Sequence, residues 1–170
     1  MTPFSGLFSQ ILTFSSFAFM PVFSTPFFIA LTRNRFLFGK NDVGVALCDD
    51  EQLGPHSDLL CLECDKHDSG KHDSGIMIIT TRYFWSHPGL KPFGQPLPTQ
   101  CPDCLGLRTW GVLKKTADKI ILKCKAKECS TRLEFTLPSG ASYVLGGFVE
   151  GERHGQWLKE TISSQNITAL

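Results

Sequence analysis

The first 32 residues of this 170-residue chain contain no charged side chain. A secretory signal peptide has Lys or Arg ahead of its apolar run, so this absence argues against one. An excess of either charge is also missing: 17 basic residues stand against 16 acidic ones, a formal net charge of +1. The chain as a whole therefore gives no argument for a nucleic-acid or acidic partner. Absent too are G-x-S-x-G, a P-loop, H-E-x-x-H and a paired-carboxylate motif, and with them the usual marks of a hydrolase, an NTPase or a metalloprotease. No catalytic activity is expected. The lone acid–base candidate is His87, beside Pro88, and it would need Asp68 or Asp73 folded back onto it. With 42% hydrophobic and 19% charged residues, the composition is not that of a disordered chain. The length suits one domain, or one domain with a small module.

What the N-terminus does contain is an apolar window, Leu12–Leu31, about as long as a membrane-spanning helix of roughly 20 residues. Arg33, Arg35 and Lys40 follow it. Five Ser/Thr residues dilute the window, and Pro21 and Pro26 interrupt it. The favoured reading is two pieces of a globular core: a buried strand or short helix ending at Pro21, then a helix with Thr25 as N-cap and Pro26 as its first residue. A membrane partner remains the lesser reading. From Asn41, a second short helix is expected, capped by Asp42 and stopped by Gly54-Pro55. Cys48 falls on its apolar face and reads as a small buried residue.

Seven cysteines are an odd number, and their paired spacings favour metal ligation over a disulfide framework. Zinc thiolates need reduced sulfur, which points to an intracellular protein. The stretch CLECDKHDSGKHDSG, residues 61–75, looks like a ligand set, with Cys61, Cys64, His67 and His72. Its flanks read as two strands joined by a polar loop. On an extended strand, residues i and i+3 face opposite sides about 10 Å apart. Two sulfurs on one zinc must approach within about 4 Å. Leu62-Glu63 offers no turn residue, so the segment is read as a loop lengthened by duplication of KHDSG.

The stronger pattern is C-x2-C-x19-C-x4-C, formed by Cys101, Cys104, Cys124 and Cys129. Pro102 and Asp103 favour a turn inside the first pair, and Gly106 is placed to supply a positive-φ residue after it. KAKE forms a longer polar knuckle in the second pair. Between the pairs lie LRTWGVL and KIILKC, with TRLEFTL as a third strand. Two knuckles joined by a hairpin predict a zinc ribbon with one structural Zn2+. Leu107, Trp110, Val112, Ile120, Leu122, Leu133 and Phe135 are its expected core, too small to hold together unaided.

The run TTRYFWSHPGLKPFGQPLPTQCPDCLGLRTW resembles the C-terminal part of uncharacterised zinc-ribbon proteins of mushroom-forming fungi. The matching positions are Tyr83, Phe84, Trp85, His87, Pro92, Phe93, Gly94, Leu97, Pro98, Gln100, Cys101, Cys104 and Trp110, within residues 78–135. The resemblance implies a zinc site and no particular activity. Longer members carry an α/β region upstream, which implies that residues 1–55 are the remnant of such a domain, and that the chain is, in the alternative reading, a truncated part of a larger enzyme.

Charge is concentrated in the ribbon. Residues 99–138 hold eight basic and four acidic side chains, a net +4 that a Zn(Cys)4 centre lowers to about +2. Arg108, Trp110, Lys114, Lys115, Lys123, Lys125 and Lys127 are the candidates for nucleic-acid contact, through phosphates and base stacking. The expected function is a zinc-stabilised binding or interaction module for a protein or nucleic-acid partner. The expected fold is α+β, in four parts: an apolar helical segment (1–55), a β-hairpin with a Pro-rich connector (56–98), a three-stranded zinc ribbon (99–138) and a C-terminal extension (139–170). That extension is expected to fray beyond Glu160.

Overall fold

The computed structural model describes residues 10–16, 20–40, 42–48, 52–66, 76–107, 109–145 and 155–167. The fold is mixed helix and sheet. In chain order come β1 (Gln10–Phe14), α1 (Pro21–Phe38), α2 (Val43–Cys48), β2 (Leu59–Lys66) and β3 (Ile76–Ser86). A 3-10 turn at Pro92–Gly94 precedes β4 (Trp110–Lys115), β5 (Lys119–Cys124), β6 (Arg132–Thr136), β7 (Ser142–Tyr143) and β8 (Gln156–Ile167). Two antiparallel sheets result, one ordered β1-β2-β3-β8-β7 and one ordered β4-β5-β6.

Side-chain alternation along β3 and β8 makes the five-stranded sheet the middle of three layers. Tyr83, Trp85 and Trp157 join Phe27, Leu47, Leu53 and Leu59 in a core under α1 and α2. Phe84 and Leu158 face the other way and meet Phe93, Ile120 and Leu122 in a second core under β5. Successive strand residues point to opposite faces, so neighbouring residues must serve different cores. The four-cysteine unit thus does not rest on its own apolar residues alone. Leu107 and Val112, expected inside it, are 67% and 48% exposed.

The apolar N-terminal window divides between β1 and α1, with residues 17–19 outside the described set. No described helix is long and apolar enough to cross a membrane. Helix α1 starts four residues earlier than Thr25. Pro21 occupies its first turn and Pro26 lies inside it. Thr25 does not cap; its hydroxyl donates to the Pro21 carbonyl at 2.9 Å. Proline is tolerated near a helix start, where donors are unpaired anyway. Pro26 withholds one donor from the carbonyl of Val22, a residue on the exposed side. Gly39, at φ 63°, ends the helix. Asp42 does cap α2, accepting from the Gly44 N–H at 2.8 Å.

The C-terminal extension departs most from expectation. Beyond Glu160 the chain does not fray: β8 runs to Ile167 and pairs with β3 from Ser86↔Gln156 to Ile76↔Ile167. Its composition is polar, but Trp157 and Leu158 anchor it in the two cores, and the β3 ladder pairs the rest of its backbone.

A candidate metal centre of four cysteines

Cys101 and Cys104 lie on a turn whose backbone closes on itself. The Leu105 N–H donates to the Cys101 carbonyl at 2.9 Å, and the Cys101 N–H to the Gly106 carbonyl at 2.9 Å. The left-handed residue is Leu105, at φ 56°, and not Gly106. The turn requires αL immediately after the second cysteine, and the sequence supplies a leucine there. Cys124 ends β5, where its N–H donates to the Thr131 carbonyl at 3.0 Å. The chain then turns through Glu128, at φ 71°, and the Cys129 N–H donates to the Ala126 carbonyl at 3.1 Å.

These two turns bring the four sulfurs within 4.8 Å of one another. Cys101 and Cys129 are 3.7 Å apart, and Cys104 and Cys124 are 3.6 Å apart. Both distances far exceed an S–S bond of about 2.05 Å. They match the edge, roughly 3.8 Å, of a tetrahedron with metal–sulfur distances of about 2.3 Å. Cys101 and Cys124 are buried, Cys129 half-buried and Cys104 exposed.

Hydroxyl groups line the cluster. Thr131 Oγ1 lies 3.3 Å from the Cys101 sulfur and 3.0 Å from that of Cys129, and its proton goes to Asp103. Thr109 Oγ1 lies 3.1 Å from the Cys124 sulfur. Backbone donation, first from Cys104 and also from Asp103, lowers the Cys101 thiol to about 6. Thr109 and the Ala126 N–H lower Cys124 likewise. Cys104 accepts from the Gly106 N–H, which works downward, but burial and three neighbouring sulfurs push it up to about 12. Like charges so close cannot all ionise unaided, whereas a cation among them favours every thiolate.

Of the described cysteines, histidines and carboxylates, only these four cysteines cluster in this way. Cys61 is buried and Cys64 exposed, as opposite faces of β2 require. Burial and the charge of Glu63 push the Cys61 thiol up to about 12, against a hydrogen bond from Gln10. His67, His72, Asp68 and Asp73 lie outside the described residues. Cys48 packs half-buried against the helix-side core. His87 stacks on Trp85, with ring centroids 5.3 Å apart, and its Nδ1 accepts from the Gly89 N–H at 3.1 Å.

The basic candidates separate. Arg108 lies outside the described residues. Lys114, Lys123, Lys125 and Lys127 are exposed and Lys115 is half-buried. Trp110 faces inward, half-buried against the second core, and its indole N–H donates to the Pro98 carbonyl at 2.9 Å. It is therefore not a stacking platform beside Lys123 and Lys125. Thr109, Thr131 and Asp103 carry no motif that marks them in the sequence, although Thr131 lies two residues beyond Cys129 and Asp103 lies between two ligand candidates.

Compared with family models, with curated proteins and with solved structures, the chain has no significant match.

Proposed function

We propose that this chain is an intracellular zinc-binding protein, in which Cys101, Cys104, Cys124 and Cys129 hold one structural Zn2+ and β4–β6 form a zinc ribbon acting as a binding module. The observation that carries the reading is the convergence of four sulfurs within 4.8 Å of one another, two pairs of them at 3.6 and 3.7 Å, from two turns far apart in sequence. An all-sulfur set of four suits Zn2+ and leaves no position for a reactive water, so the metal's contribution is folding free energy. That contribution is on the order of 10 kcal/mol for small zinc modules. Thr109 would orient and stabilise the Cys124 thiolate by hydrogen bonding, as outer partners of metal ligands do, while Asp103 fixes the Thr131 hydroxyl beside Cys101 and Cys129. The likeness of residues 78–135 to the fungal zinc-ribbon proteins supports the same assignment.

Native mass spectrometry of the reduced full-length chain tests it. One zinc per chain is expected, retained in Cys64→Ser and lost in Cys101→Ser and Cys124→Ser. A metal-free chain with four free thiols, or one crosslinked through these cysteines, overturns the reading.

A further inference from the structure

The outer surface of the β4–β6 sheet, turned away from both cores, carries a charge arrangement that folding alone does not account for. On β5, Ile120, Leu122 and Cys124 point inward, so Ile121 and Lys123 point outward. Register then places Arg132 of β6 directly opposite Lys123, on the same side. On the other flank of Lys123 stands Gly111 of β4. The stem of Lys125 lies across Gly111, in the space a Cβ there would occupy, 3.2 Å away at Cγ. Lys114, opposite Ile121 after the bulge in β4, completes the group.

Like charges directly opposite on a sheet destabilise it. None of Lys114, Lys123, Lys125 and Arg132 has a carboxylate partner among the described residues. The face carries one carboxylate, Glu134, and it is already paired with Lys119 at 2.6 Å. Four unneutralised cations held side by side on a pleated surface describe a site for a polyanion.

We infer that this face binds the phosphodiester backbone of a nucleic acid. Strands about 4.8 Å apart, and same-face residues about 7 Å apart along a strand, array the cations in steps comparable to those between successive phosphates. Trp110 faces the opposite side, and no aromatic residue lies among the outward positions Gly111, Lys114, Lys119, Ile121, Lys123, Arg132, Glu134 and Thr136. Binding is therefore through phosphates, without base selection. The inference rests on the zinc reading only in so far as the metal holds β4–β6 in place.

The test is fluorescence anisotropy of the full-length chain with labelled oligothymidylate and oligoadenylate, at stepped salt concentrations. Zinc content is measured in parallel. With four phosphates neutralised on a single strand, log K falls with log salt at a slope of about −3, so affinity drops about 50-fold between 50 and 200 mM salt. Both homopolymers bind alike. Lys123→Ala with Arg132→Ala roughly halves the slope while zinc content and unfolding midpoint stay unchanged. Salt-insensitive binding, or binding indifferent to the double substitution, overturns the proposal. So does exclusive binding to phosphatidylserine vesicles, which would assign the face to a membrane. If the double variant sheds zinc yet binds as before, the cations serve the metal centre and the inference fails. A zinc-free chain that binds with the expected slope leaves the inference standing and removes the metal reading. A zinc-loaded chain that does not bind does the reverse.

Discussion

Phe84 and Trp85 are adjacent in β3, yet their side chains enter different hydrophobic cores. Phe84 is 1% exposed among Phe93, Ile120, Leu122 and Leu158, so it is where the four-cysteine unit is fastened to the body. Trp85 lies on the helix side, closely packed against Gly54 and Gly155, where a β-carbon would collide with the indole. Through β3 and β8, the four-cysteine unit and the helix-covered sheet therefore share one central layer.

Phe84→Ala is expected to cost about 3–5 kcal/mol, the usual range for deleting a buried aromatic. It should also hasten loss of the proposed zinc to a chelator, because Ile120 and Leu122 lead directly to Cys124. Urea denaturation and a chelator-competition rate measure the two effects. An unchanged rate at lowered stability would show that the layers are not coupled.

Asp58 organises the edge where the connector meets the sheet. Its carboxylate takes Arg82 at 2.6 Å and Lys91 at 2.7 Å, and Arg82 also reaches Glu160 at 2.9 Å. The Asp58 side chain is 9% exposed, whereas Arg82 and Lys91 keep some water contact at 34% and 23%. Asp58→Ala removes the shared anion and leaves two cations facing each other. A loss of about 2–3 kcal/mol in urea unfolding is expected, below the full cost of breaking a buried pair because solvent screens the cations.

Leu105, at φ 56° and 67% exposed, bears a left-handed backbone cost with little burial in return. Glycine has no such steric penalty. Leu105→Gly is expected to stabilise the chain by about 1 kcal/mol and slow loss of the proposed zinc, read by thermal unfolding and chelator competition. Destabilisation would mean that the leucine side chain makes a contact outweighing its backbone.

Cys61 sets an alkaline dependence. Its thiol is pushed from 9.0 to about 12 in the folded chain, so above pH 9 the unfolded state releases a proton that the folded state retains. Stability therefore falls as pH rises from 9 towards 12, by at most about 1.4 kcal/mol per pH unit from this group. Tyr83, raised chiefly by burial, acts in the same direction. Urea midpoints across this range should fall less steeply in Cys61→Ala than in the parent chain. Identical slopes would show that Cys61 does not carry the effect.

Several features are legible in the amino-acid sequence because they depend on local chemistry. The turn at Cys101-Pro102-Asp103-Cys104, the polar knuckle at Lys125–Glu128 and the alternation in β5 and β6 are short-range signals. The exclusion of Cys61 and Cys64 as a pair is another, since the period of two along a strand separates them. The helix start at Pro21 is less legible, because Thr25-Pro26 carries the same capping signature as a true N-terminus. The left-handed turn residue is Leu105, although Gly106 beside it is the residue type that usually occupies such a position.

By itself, the sequence determined which four sulfurs could converge, since turn chemistry and spacing are written in neighbouring residues. Tertiary structure alone decided what that unit rests on. Only the pairing of β3 with β8 sends Phe84 and Leu158 one way and Trp85 and Trp157 the other, and turns a polar tail into an inner strand. Strand partners distant in the chain are chosen by burial on both sides of a sheet, a quantity no local pattern contains. The same holds for the basic face: Lys123 and Arg132 become neighbours only through the register of β5 with β6.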